Sequence, residues 1–303
     1  MTVPATAPIF SLTGNLLAER TLEFADWSPG KTQRAVRESF QVGGKGINVS
    51  KMLHRLGAPT TALCFAGGAA GAECGQWLHA QKFASRIFPT LGSTRIGIVV
   101  RGGRQPETTF FSPDSPPDAA AIRACADDLD AQPPGQVLAL CGSLPGWLTI
   151  EFDPLRAALG RWQERGQLAA DTYGPPLAWL AEQPLALVKI NATELRSLVG
   201  VTGVPSSTAG QIKLAAERWP VRRWVITDGA NPVWFQEGEG EPVSLTPPRV
   251  SEISPTGSGD VLFAYVLDSL FRHGRTLAES VAGALPFAAA NAAHPGIAEF
   301  PDP

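Results

Sequence analysis

Cysteine, histidine, tyrosine, methionine and charge are all scarce in this chain. Its 303 residues include 4 cysteines, 4 histidines, 2 tyrosines and 2 methionines. No two of Cys64, Cys74, Cys125 and Cys141 have CxxC spacing, and His54, His79, His273 and His294 stand far apart. Both patterns argue against a disulfide framework and a zinc centre. The cysteines read instead as small core residues. Charged residues make up only 17 %, with 25 basic against 28 acidic. Charge so low and so balanced excludes a disordered chain. It also leaves no basic footprint for nucleic acid. Long apolar runs are missing too. The most apolar stretch, 276–293, is interrupted by Gly283, Pro286 and Asn291 and reads as a buried helix rather than a membrane span. The opening MTVPATAPIF has neither a basic start nor a long apolar core, so it is not a secretory signal. A soluble, cytoplasmic protein is expected, with no nucleic-acid or membrane partner.

What the sequence does have is alternation. Short apolar runs predict strands at Thr61–Ala66, Gln136–Cys141, Gln167–Ala170, Ala186–Lys189 and Arg223–Thr227. Between them, helical patterns cover Gly46–Leu56, Glu73–Gln81, Ala119–Asp130, Phe152–Arg165, Ala192–Val199, Ala209–Arg218, Val261–Phe271 and Leu277–Ala292. This order predicts an α/β fold with a mostly parallel sheet covered by helices. Two stretches, 14–41 and 93–112, break the rhythm and look extended. Ile96–Arg101 and Glu107–Phe111 read as a hairpin across Gly102-Gly103. We take these stretches as a small β lid. The α/β core then spans about 1–13, 42–92 and 113–303 of a single 1–303 unit.

Five segments carry chemistry. Val42-Gly43-Gly44-Lys45-Gly46-Ile47-Asn48 leads into a helix. Its glycines let backbone approach a ligand, and a helix N-terminus offers free N–H groups. Lys45 adds a charge, and Asn48 can bond a hydroxyl. The spacing is not that of a Walker loop. Further on, Gly257-Ser258-Gly259-Asp260 opens an apolar helix. Its amides suit the charge on a transferring phosphoryl group, and Asp260 can accept a proton from an attacking hydroxyl. Lys189-Ile190-Asn191-Ala192-Thr193-Glu194 closes a predicted strand. Asn191 and Glu194 share one helix face, as a plain cap or as a magnesium site acting through water. Two more strand ends are Thr227-Asp228-Gly229 and Cys141-Gly142-Ser143. Open α/β sheets bind ligands at such ends, although each also reads as an ordinary turn.

In this order the five segments resemble the PfkB family of carbohydrate kinases, from about residue 9 to about 295. Gly43-Gly44-Lys45-Gly46 looks like the family's first signature and Gly257-Ser258-Gly259-Asp260 like its second. Lys189, Asn191 and Glu194 match its Lys-x-Asn-x-x-Glu segment. The Gly-Ile-Asn-Val wording, Thr94-Arg95 and Gly142-Ser143-Leu144-Pro145 are most similar to the 1-phosphofructokinase and tagatose-6-phosphate kinase branch. The resemblance implies a three-layer ribokinase-like fold with ATP as co-substrate and Mg2+ as cofactor. It implies that Gly43, Gly44, Lys45, Asn48, Arg95 and Ser143 hold a sugar phosphate. Asp260 would be the base, with Gly257, Ser258 and Gly259 as the anion hole. Lys189, Asn191, Thr227 and Gly229 would line the nucleotide site, with Asn291 near the adenine. Glu194 and Asn191 would organise the metal through water. The lid implies a homodimer.

Four departures stand out. The branch usually carries an Asp that grips sugar hydroxyls after the first strand; here Glu19 replaces it, or Asn15 does. Pro255, Pro232 and Tyr265 replace the family's usual Thr, Gly and small residue. Two alternatives follow. One is a kinase of an unphosphorylated sugar or nucleoside. The other is a non-catalytic sugar- or nucleotide-binding protein that keeps the fold.

Overall fold

The structure is a computed structural model that describes residues 7–103, 105–200 and 203–303. Most of the MTVPATAPIF stretch lies outside the described residues. The chain runs β1 (Ile9–Thr13), β2 (Leu17–Glu23), β3 (Arg37–Gly43), α1 (Lys45–Arg55), β4 (Thr60–Ala66), α2 (Gly68–Ala80), β5 (Ser85–Pro89), β6 (Arg95–Arg101) and β7 (Thr108–Phe111). It continues through α3 (Ala119–Asp130), β8 (Val137–Cys141), α4 (Asp153–Arg165), β9 (Gln167–Asp171), α5 (Pro175–Ala181), β10 (Leu187–Asn191), α6 (Ala192–Val199) and α7 (Thr208–Arg218). The last elements are β11 (Arg223–Thr227), β12 (Val233–Glu237), β13 (Val243–Leu245), α8 (Ser258–Leu267) and α9 (Leu277–Ala292).

The expected α/β architecture is present. Nine strands form one sheet in the order β13-β12-β11-β10-β9-β8-β1-β4-β5. Pairing is parallel from β11 to β5, and only β12 and β13 run antiparallel at one edge. Strand alternation sends side chains to both faces. Phe10, Leu12, Leu138 and Leu140 pack with residues of α3, α4, α5, α6 and α7. Ile9, Val137, Ala139 and Cys141 pack on the other face with α1, α8 and α9. Both faces are therefore dry, which is why these strands read as unbroken apolar runs. All four cysteines are buried and unpaired. Burial pushes the Cys64 thiol up to about 12, with Cys74 adding to it.

A second sheet, in the order β3-β2-β6-β7, is built from the two irregular stretches. The β6–β7 hairpin is antiparallel as expected. Gly102 has φ of +116°, and a Cβ there would lie 1.7 Å from Phe24 O, so the turn requires glycine. Sequence reading missed β1, β5, β12, β13 and α5. Pro175-Pro176 looks like a break, but proline fits the first turn of a helix, where the N–H has no partner to lose. The apolar stretch near the C-terminus is α9, with much of it buried. Among the described residues no helix is long and apolar enough to cross a membrane.

Candidate active site

The parallel strands end together, so Thr13, Cys141, Asp171, Asn191 and Thr227 lie along one edge of the large sheet. The small sheet joins the body at the same edge, because β2 follows β1 and β3 leads directly into α1. Glycines set the approach of α1. Gly44 has φ of +114°, and a Cβ on it would lie 2.7 Å from Thr13 Cγ2. A Cβ on Gly46 would lie 2.3 Å from Thr13 Oγ1. The helix N-terminus therefore rests against the end of β1.

Lys45, the first residue of α1, donates to Asp171 Oδ1 at 2.6 Å. Lys189 from β10 donates to the other oxygen, Oδ2, at 2.8 Å. Asp171 is completely buried. Burial opposes its charge, but the two ammonium groups hold its carboxyl below the ordinary range. Burial likewise opposes the charge on Lys45. Asp171, Asp260 and Glu194 override it and hold the ammonium well above its usual range.

Asp260 lies in the first turn of α8 and is 5 % exposed. Asn48 Nδ2 donates to its Oδ2 at 2.7 Å. Burial pushes its carboxyl up to about 6; Lys45 pulls it back and Asp171 adds to the rise. Gly257 caps α8 in the left-handed region, and a Cβ there would lie 2.6 Å from Ile297 Cγ2. The Ser258 amide turns back to Pro255 O at 3.2 Å. One of the three amides expected to form an anion nest is thus engaged within the loop. Lys189 is 3 % exposed and lies beneath Gly259, where a Cβ would come 2.5 Å from Nζ. Lys189, expected to line the nucleotide site, is thus buried beneath the start of α8.

Asn191 and Glu194 form a capping box: the Glu194 amide donates to Asn191 Oδ1 and the Asn191 amide to Glu194 Oε2, both at 2.8 Å. Glu194 Oε1 remains, 3.9 Å from Lys45 Nζ. Among the described residues no group of three or more His, Cys, Asp or Glu is placed to hold a metal. A cleft of about 740 Å³ borders Asn191 and Glu194 on the side of Tyr173 and Leu177. Thr227 and Gly229 do not line it; they lie one strand away, and Gly229 sits in an open turn with φ of +55°.

At the small-sheet side, Asn15 Nδ2 donates to Ser143 Oγ at 3.0 Å and to Asp114 Oδ1 at 2.8 Å. Arg95 Nη1 reaches the same Asp114 oxygen at 3.3 Å. Glu19 is on β2, where its Oε1 accepts from Gln41 and its Oε2 lies 3.6 Å from a Cβ on Gly43. Gln41 in turn accepts from Lys51.

Asn291, expected near the adenine, is held within the fold. It is 1 % exposed, and its amide nitrogen donates to Thr256 O and Ser258 Oγ. Its oxygen accepts from the Ala298 amide. It ties the loop before α8 to the C-terminal tail. Tyr265 is also explained by packing. Its ring lies against Phe287, and Gly283 opposite leaves room, since a Cβ there would lie 2.6 Å from the hydroxyl.

Sequence reading missed Asp171 and Asp114. The first carried a usable signal, an acid ending an apolar strand run. The second, in Ser112-Pro113-Asp114-Ser115-Pro116-Pro117, looks like any proline-rich turn.

Comparison with known proteins identifies the family. Residues 10–303 match the pfkB family carbohydrate kinase pattern. The chain is 26 % identical to a 1-phosphofructokinase of Borreliella burgdorferi, over 97 % of this chain and 94 % of that protein. It is 25 % identical to a D-tagatose-1-phosphate kinase of Klebsiella oxytoca, over 94 % and 91 %. The crystal structure of Escherichia coli phosphofructokinase-2 in complex with fructose-6-phosphate superposes with a TM-score of 0.83 at 23 % identity. That match covers 94 % of this chain and 93 % of the other. With the family pattern running through the glycine-rich turn, the Asp260 helix and both sheets, the chain belongs to the pfkB family of carbohydrate kinases.

Proposed function

We propose that this kinase moves the γ-phosphoryl group of ATP to a primary hydroxyl of a phosphorylated ketohexose. The observation that carries the reading is Asp260, buried in the first turn of α8 and bonded by Asn48. A general base works best with a pKa near the working pH, and burial has moved this carboxyl toward it. Asp260 takes the proton of the attacking hydroxyl. The Gly257 and Gly259 amides at the positive end of α8 face the charge on the transferring group. Lys45 sits beside Asp260 as a fixed cation, so a negative reacting centre costs less there.

A resident metal centre does not fit the donors present, whereas an ion arriving with the nucleotide phosphates does. Glu194 Oε1 would hold such a magnesium through its own water. When bound, the ion would neutralise phosphate charge. The names of the relatives support a phosphorylated sugar. Arg95 supports it too, because a guanidinium has five N–H donors and only Nη1 is engaged by Asp114. We also propose that two copies pair through the small sheet, where Ile96 is 43 % and Phe110 57 % exposed.

The test is ADP release with Mg2+ and ATP across fructose 1-phosphate, fructose 6-phosphate, tagatose 6-phosphate, the free sugars and nucleosides. Turnover on a phosphosugar is expected, with at least a 100-fold loss in Asp260→Asn. Turnover confined to a free sugar or nucleoside, or a near-normal Asp260→Asn rate, rejects the corresponding assignment.

A further inference from the structure

Three segments distant in sequence converge on one carboxylate. Asp114 follows β7, Asn15 follows β1, and Arg95 opens β6. Asp114 Oδ1 accepts from Asn15 Nδ2 at 2.8 Å and from Arg95 Nη1 at 3.3 Å. Neither donor is free to wander. Asn15 is 8 % exposed, and its amide nitrogen is shared with Ser143 Oγ. The turn that carries it rests directly on the loop after β8, since a Cβ on Gly14 would lie 2.4 Å from Leu144 Cγ. Arg95 lies 4.8 Å over the Phe111 ring. Its neighbour Thr94 is buried and accepts from the Gly67 amide.

These contacts fix one oxygen of Asp114 and leave the other. Oδ2 has no hydrogen-bond partner among the described residues, and the side chain is half exposed. A carboxylate oriented through one oxygen and open at the other is an acceptor for sugar hydroxyls. Its position suits that use, because Asn15 O would lie 3.4 Å from a Cβ on Gly44 at the N-terminus of α1. Asn48, which holds Asp260, is one turn further along that helix. Glu19, the acid expected in this role, is held through Oε1 by Gln41, with Oε2 3.6 Å from a Cβ on Gly43, and among the described residues lacks the Asn15 and Arg95 contacts that orient Asp114.

We propose that Asp114 is the specificity-determining residue of the sugar site, its Oδ2 accepting from a ring or chain hydroxyl of the substrate. The proposal rests on the sugar-kinase reading above. Asn15 and Arg95 act as its positioning residues. A substrate lacking that hydroxyl leaves the carboxylate desolvated and unpaired, and sites of this kind discriminate strongly.

The experiment measures kcat and KM by ADP release for whichever of fructose 1-phosphate, fructose 6-phosphate, tagatose 6-phosphate and fructose turns over. The 3-deoxy and 4-deoxy analogues of that sugar follow, in wild type, Asp114→Ala, Asp114→Asn and Glu19→Gln. Removing the recognised hydroxyl is expected to cost the wild type about 10–100-fold in kcat/KM, the range for a hydrogen bond to a charged group. Asp114→Ala is expected to raise KM by a similar factor with kcat within about twofold, and to lose nothing further on the deoxy analogue. Asp114→Asn, closer in shape, checks that the loss is not one of folding. Its melting temperature should match the wild type while the discrimination is still reduced. The proposal is overturned if Asp114→Ala keeps the full penalty for the missing hydroxyl, or if Glu19→Gln removes it. A wild type silent on every sugar overturns the kinase reading and this proposal together, an outcome distinct from either.

Discussion

Asp260 sets a pH limit that can be measured in two ways. The proposed base acts only when ionised. With its carboxyl pushed up to about 6, kcat/KM is expected to fall about tenfold per pH unit below that value, recorded as a pH–rate profile. Stability has the opposite sign. The fold holds this proton more tightly than the unfolded chain, whose carboxyl keeps the ordinary value of 3.8. Asp260 therefore supports the fold below about pH 4, and that support is lost as pH rises through about 6. Asn carries no charge to bury. The stability of Asp260→Asn relative to wild type should thus increase between pH 4 and pH 7 in denaturant titrations. At this scale the sequence was partly legible. Gly44, Asn48 and Asp260 stand in short motifs whose chemistry is local. Asp171 and Asp114 do not: each is joined to a partner far along the chain, Lys45 at 126 residues and Asn15 at 99.

At the scale of elements, the N-terminus of α8 depends on what lies beneath it. Gly259 is needed because Lys189 Nζ occupies the space a methyl would take, at 2.5 Å. Lys189 cannot retreat cheaply, since it is buried against Asp171. Gly259→Ala is expected to destabilise the protein by about 1–3 kcal/mol, the usual cost of overpacking. It should also lower kcat/KM at least tenfold, because the nest and the Lys189–Asp171 pair shift together. Thermal unfolding and initial rates check both. Helices with side-chain caps at their starts, such as α3, α6 and α9, have the bounds their sequences predict. Short strands such as β13, with three residues, carry too little pattern to be read. Tyr265 shows the same limit. It reads as a departure in the sequence and becomes ordinary packing once Gly283 is opposite it.

For the molecule as a whole, the question is how the small sheet is covered. Ile98 pairs with Phe110, so Phe110 and Ile96 share a face and leave two large apolar side chains in water. If that face joins two copies, Phe110→Asp is expected to halve the mass seen by light scattering. An unchanged mass removes the pairing from this sheet.

The sequence by itself determined the alternation of strands and helices, and so the parallel sheet with two dry faces. It also determined the glycine-rich turns and Asp260, because glycine conformations and helix starts are written within a few neighbouring residues. Only the tertiary structure decided which groups meet at the edge of the sheet. It joined Lys45 and Lys189 through Asp171, turned Asn291 inward as a tether, and brought Asp114 to Asn15 and Arg95. The physical reason is range. Backbone preferences act over a few residues, whereas charge and hydrogen bonding act between groups that only the fold brings within about 3 Å.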